Sequence, residues 1–165
     1  MMTDEWIGGN ALANMQAMEM LRDLAQRSSD KAVESLGQLQ RQQQEAQTQL
    51  GQLQRYREEY QRKLHDSLTQ GVSSSQWRDY QQFIGSLDKA IEQQQRRLGE
   101  HQTRVDSGRQ HWQGERRKLN AYETLHARGE RDAAYRQARQ EQRHSDEMAA
   151  QLLRRQQDAR HSQQS

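Results

Sequence analysis

The sequence predicts an all-α protein, a long antiparallel two-stranded coiled-coil hairpin, on three observations. The 165 residues hold no proline, thirty glutamines and a single phenylalanine, so the punctuation and the β-formers of a strand-rich fold are missing. Only 31% are hydrophobic against 29% charged, too little apolar material for a many-layered core. From Trp77 through Ile84, Ile91, Leu98, Val105, Trp112 and Leu119, every seventh residue is apolar, the period of a coiled-coil seam.

Residues 1–10 are assigned to a flexible N-terminal tail. The first helix is expected over about 11–70. Its seam runs through Leu36, Leu39, Gln43, Ala46, Leu50, Leu53, Arg57, Tyr60 and Leu64, and back in phase through Ala32, Ala25, Met18 and Met15. The glutamine-rich stretch from Gln38 to Gln54 is helical filler, because leucine keeps its phase across it. A turn is expected at 71–74, where Gly71 can take the left-handed conformation after a helix end and Ser73 with Gln76 matches a capping box. The second helix is expected over about 75–151. Its companion seam positions, Tyr80, Leu87, Gln94, His101, Gly108, Glu115 and Tyr122, include polar residues that weaken pairing while fixing register. Residues 152–165, rich in Gln, Arg and Ser, are assigned to a polar, frayed tail.

If the chain reverses at Gly71, seam residues whose numbers sum to 144 face one another. Leu64 then meets Tyr80, Tyr60 meets Ile84, Leu53 meets Ile91 and Ala46 meets Leu98. Ala32 opposite Trp112 and Ala25 opposite Leu119 set small residues of one helix against large ones of the other. A hairpin arm of some sixty residues is about 90 Å long, and the second helix outruns the first. Glycines at 37, 51, 85, 99, 108 and 114 each weaken a helix by about 1 kcal/mol relative to alanine, so the isolated hairpin is expected to be marginal.

Such a fold encloses no pocket for catalysis, and the sequence carries no phosphate-binding loop, nucleophile elbow or HExxH motif. No enzyme activity and no cofactor are expected. Two Glu-x-x-His spacings, Glu123 to His126 and Glu141 to His144, resemble halves of a di-metal bundle site, but both lie on one helix about 27 Å apart, so no metal is expected. Cysteine is absent, which removes disulfides and thiolate chemistry. Lys and Arg number 25 against 23 Asp and Glu, a net +2 in mixed sign despite a pI near 9.1, and nucleic acid is disfavoured for want of clustered cations. No apolar run is long enough for a membrane span or a signal peptide, so a cytoplasmic protein is expected.

Two apolar surfaces exceed what the seam uses, and in the first, a semi-exposed stripe, Tyr56 and Phe83 lie just off the seam beside residues that belong to it. The rows Gln49, Leu53, Tyr56, Tyr60 and Phe83, Leu87, Ala90, Gln94 share a four-three-four spacing, and the sum of 144 brings them together. Their rings either lie flat over the seam or form a protein-docking stripe. The second surface is the open end. Ala11, Leu12, Met15, Met18, Met20, Leu21 and Leu24 make the first helix apolar over more of its girth than one partner helix can bury. The overhanging second helix, a second copy or another protein could cover it.

Tyr56-Arg57-Glu58-Glu59-Tyr60, the Gly71 reversal and the run Trp77-Arg78-Asp79-Tyr80-Gln81-Gln82-Phe83-Ile84 through Leu87, Lys89, Ala90 and Ile91 closely resemble the FliJ family of the bacterial flagellar type III export apparatus. The resemblance covers roughly residues 12–150 and is most specific over 49–98. It implies a coiled coil similar to the γ-subunit shaft of rotary ATPases, acting with the hexameric export ATPase FliI, the export gate protein FlhA and flagellar export chaperones. It also implies a protein peripheral to the cytoplasmic face of the inner membrane at the flagellar base, held there through its partners. By the same resemblance the gate-contacting residues are Gln49, Leu53, Tyr56, Tyr60, Phe83, Leu87 and Ala90, with a departure at Gln94, where a histidine is expected. By analogy with the shaft, the end bearing Met15, Met18, Leu21 and Leu24 enters the ATPase ring. The rival reading is a generic coiled-coil scaffold or spacer without an ATPase partner.

Overall fold

The computed structural model describes residues 3–162, and the side chains of residues 9, 10 and 12–161. Two helices account for it, α1 (Thr3–Gln70) and α2 (Ser74–Ser162), running antiparallel as a hairpin. Gly71, at φ 86°, takes the left-handed conformation that ends α1. Ser73 caps α2. Its Oγ accepts from the Gln76 N–H at 3.3 Å and its carbonyl from the Trp77 N–H at 3.1 Å, which gives two donors of the first turn a partner.

The helix bounds differ from the sequence reading at both ends. α1 starts at Thr3 rather than near residue 11, and α2 continues to Ser162 rather than about 151. Residues 1–2 and 163–165, parts of the two expected tails, lie outside the described residues, as does the side chain of Ala11. No proline stops α2, no glycine follows Gly129, and Ala, Gln, Arg and Glu hold a helix well.

The chain divides into two compact units, Gln26–Arg117 and the pairing of Met1–Ala25 with Lys118–Ser165. In the first unit the residues withdrawn from solvent keep the expected phase. Ala32, Leu36, Ala46, Leu50 and Leu64 of α1 and Ile84, Leu87, Gln94 and Val105 of α2 are buried, with Leu39, Gln43, Leu53, Arg57, Tyr60, Tyr80, Ile91, Leu98, His101, Gly108 and Trp112 half-buried between them. Contacts across the seam carry the register. Tyr60 meets Tyr80 and Phe83, Arg57 pairs with Asp88, Gln94 bonds Ala46 and Gln49, and Gly108 lies against Leu36 and Leu39. In every one of these pairs the residue numbers add to within four of 144.

Trp77 is the exception to the seam. It is 43% exposed because it stands in the first turn of α2, where the residue level with it is the small Ser67. The polar seam positions are treated unequally. The buried Gln94 amide donates to the Ala46 carbonyl at 3.0 Å and to Gln49 Oε1 at 3.1 Å, whereas His101 Nδ1 is buried without a hydrogen-bond partner. Gly108 sits at a close approach: a Cβ there would stand 2.8 Å from Leu39 Cδ1, which would have to shift.

In the second unit the same phase runs through Met15, Met18, Arg22 and Ala25 on α1 and Leu119, Tyr122, His126, Gly129 and Ala133 on α2. Only Ala25 and Leu119 of these are buried. From Ala134 to His161 every residue is exposed.

Candidate docking surfaces

The aromatic row lies within the Gln26–Arg117 unit, near the closed turn. Tyr56 and Tyr60 follow one another a turn apart on α1, and Phe83 comes from the third turn of α2. The Tyr60 and Phe83 rings meet at 4.3 Å with planes tilted by 48°, and Tyr60 sits 6.4 Å from the Tyr80 ring, the offset geometry that aromatic quadrupoles favour. An open groove of about 280 Å³ lies beside them, lined by Tyr60, Gln76, Asp79, Tyr80 and Phe83. Lys63 Nζ stands 5.0 Å over the Tyr60 ring and 3.0 Å from Glu59 Oε1. The hydrogen bond and charge of that carboxylate raise the lysine pKa, so the cation persists beside the ring.

The seven residues proposed from sequence for this surface are not equally reachable. Tyr56 is 54% exposed and Phe83 42%, and Gln49 is exposed with its Oε1 engaged by Gln94. Leu53, Tyr60 and Ala90 are half-buried. Leu87 is buried, at 8%, which corrects its placement in a semi-exposed row: it is a companion seam position, and the seam claims it. The row is thus a reachable edge, Tyr56 and Phe83, standing on half-buried neighbours. Tyr60 and Phe83 meet over the seam, while Tyr56 stands clear of it.

The open-end residues lie in the other unit. Met15 and Met18 are half-buried, while Leu21 and Leu24 are exposed, together with Leu12 and Met20. Sequence reading missed an apolar set on α2 in the same unit: Tyr135, Met148, Leu152 and Leu153 are all more than half exposed. The signal was present. After Ala133 the seam phase falls on Arg136, Gln140, Arg143 and Glu147, while a new three-four run begins on another face.

The two Glu-x-x-His spacings are not brought together, and among the described residues no group of three His, Asp or Glu side chains could hold a metal. His126 instead points Nδ1 at Glu130, 3.8 Å away. Among the described residues no helix is long and apolar enough to cross a membrane.

The sequence model of the family described as Flagellar FliJ protein matches residues 15–158. A flagellar FliJ protein from Salmonella typhi is 35% identical over 138 residues, which cover 84% of this chain and 94% of that protein. A flagellar FliJ protein from Escherichia coli (strain K12) is 33% identical over 138 residues, with the same coverage of both chains.

Proposed function

Because the chain belongs to the FliJ family of flagellar proteins, we propose that it is a non-enzymatic component of the flagellar type III export apparatus, acting through two docking surfaces on one helical hairpin. In this reading the open end, with Met15, Met18, Leu21 and Leu24, enters the hexameric export ATPase FliI and promotes its assembly or activity. The aromatic edge docks on the export gate protein FlhA, which couples the two, and the protein helps handle export chaperones. It is cytoplasmic and held at the inner membrane only through these partners.

The observation that carries the reading is the exposure of Tyr56 and Phe83 on the row where the family resemblance puts the gate contact. Exposed rings backed by half-buried neighbours suit an interface anchor, since aromatic side chains supply large contact area at low entropic cost. The Leu21 and Leu24 exposure supports the second surface in the same way.

The test is ATP hydrolysis by the cognate export ATPase at concentrations where its hexamer is partly assembled, with and without this protein. Stimulation should saturate below one copy per ATPase subunit and vanish when residues 11–25 are deleted. No stimulation and no co-migration would remove the shaft role. The Tyr60–Phe83 stack favours a second reading, a scaffold whose rings only seal its own seam. The two readings part on a folded Tyr56→Ala/Phe83→Ala protein: lost motility supports docking, unchanged motility the scaffold.

A further inference from the structure

Within the unit formed by Met1–Ala25 and Lys118–Ser165, two apolar stripes face away from the hairpin seam. On α1, Ala13, Ala17, Met20 and Leu24 follow a four-three-four spacing, all exposed, while Met15, Met18, Arg22 and Ala25 take the seam. On α2, the new run after Ala133 passes through Tyr135, Ala138, Gln142, Ser145, Ala149 and Leu152, flanked by Met148 and Leu153. Such spacings are what one helix presents to another.

We propose that these stripes pair between two copies of this chain: the α2 tail of each copy lies along the outer face of α1 in the other, closing a twofold dimer at the open ends. Three observations commit the occupant. The first is reach. With numbers summing to 144, Thr3 at the start of α1 is level with Glu141, so α2 continues for about 30 Å beyond it. The second is stiffness. No proline occurs and no glycine follows Gly129, so α2 has no hinge by which its tail could fold back onto its own α1.

The third is charge. Residues 1–30 carry Asp4, Glu5, Glu19, Asp23 and Asp30 against Arg22 and Arg27, a net of −3. Residues 134–161 carry six arginines against four carboxylates, a net of +2. An acidic helix and a basic tail attract in the crossed pairing and repel in the like-to-like ones. The tail of one copy runs parallel to the α1 it meets, because each hairpin points its open end at the other. A twofold axis makes the contact twice, so two short stripes add up to one interface.

The dimer does not depend on the export reading, and its test uses this chain alone. Sedimentation velocity should show a species of twice 19.5 kDa that grows with concentration. Leu152→Glu/Leu153→Glu and, separately, Met20→Glu/Leu24→Glu should each weaken dimerisation at least tenfold with helix content unchanged, since all four positions are exposed. A crosslink fixes the geometry. The natural chain has no cysteine, and Met20 is level with Thr124, 28 residues and about 42 Å along α2 from Leu152. A Met20→Cys protein mixed with a Leu152→Cys protein should therefore give a disulfide-linked dimer on oxidation, while neither gives one alone. A monomer at every concentration would overturn the proposal and leave the stripes to a different protein. A dimer indifferent to both glutamate pairs, or linked through Met20→Cys alone, would overturn it equally.

Discussion

Residues 26–117 and the unit made by 1–25 with 118–165 are built from the same two helices, yet they spend their apolar side chains in opposite ways. Among the described residues, eight of the ten buried hydrophobic side chains belong to 26–117, whereas nine of the fourteen large exposed ones belong to the other unit. The first unit satisfies itself. Its leucines and isoleucines meet across one seam, Gln94 finds its partners, and Gly108 makes room for Leu39. The second keeps a seam on paper, but much of what is apolar in it stands outside that seam. Helix propensity holds such a segment in shape only while something covers it. The comparison therefore separates the part whose apolar side chains mostly close on one another from the part that leaves most of its own in solvent.

The strongest break in this comparison is expected in hydrogen exchange. Amides of 36–64 and 84–105 lie under buried side chains and should open only with the whole hairpin, while those of 142–161 run past the start of α1. Protection should differ by at least about a thousandfold between the two sets in exchange read by mass spectrometry. Equal protection in the monomer would dissolve the distinction between the units. In the proposed dimer, the tail should gain protection as concentration rises.

Next in size is the cost of losing a leucine. Leu50→Ala removes a buried side chain and leaves a gap on the seam, and should cost about 2–4 kcal/mol in chemical denaturation. Leu152→Ala, at an exposed position, should stay within about 0.5 kcal/mol when measured on the monomer. The polar seam offers a companion measurement. His101→Leu exchanges a ring nitrogen buried without a hydrogen-bond partner for an apolar side chain and should raise the unfolding midpoint.

These contrasts also mark what could be read from the chain alone. The seam, the register and the turn were legible because one period and one glycine specify them: Leu36, Leu50, Ile84 and Val105 fall where the sevenfold count puts them, and Gly71 takes its left-handed turn. Leu87 was misplaced because it belongs to two spacings at once, the companion seam and the aromatic row, and only packing decides between them. Trp77 kept the period and lost its cover to the small Ser67 opposite. The ends were least legible. Alternating apolar residues at Tyr135, Ala138, Ala149 and Leu152 are diluted by Gln142 and Ser145, and a period broken in phase at Ala133 reads as its end rather than as a new face.

The smallest effects come from the glycines, and they sharpen the comparison because the same substitution should read differently in the two units. At Gly51 and Gly99 a Cβ would meet nothing within 4 Å, so Gly51→Ala and Gly99→Ala should each stabilise the 26–117 hairpin by about 0.4–1 kcal/mol, seen as a higher unfolding midpoint. Gly108→Ala should yield no such gain, since its Cβ would stand 2.8 Å from Leu39 Cδ1 and the leucine would have to move off its seam position. Gly129 likewise has open space around it, yet it lies in the other unit. If that unit opens on its own, Gly129→Ala should slow amide exchange around residues 122–133 and leave the main unfolding midpoint where it was. A midpoint raised as far by Gly129→Ala as by Gly51→Ala would mean that both units unfold as one cooperative body, and the exposed apolar stripes would then be held in place by the hairpin seam itself.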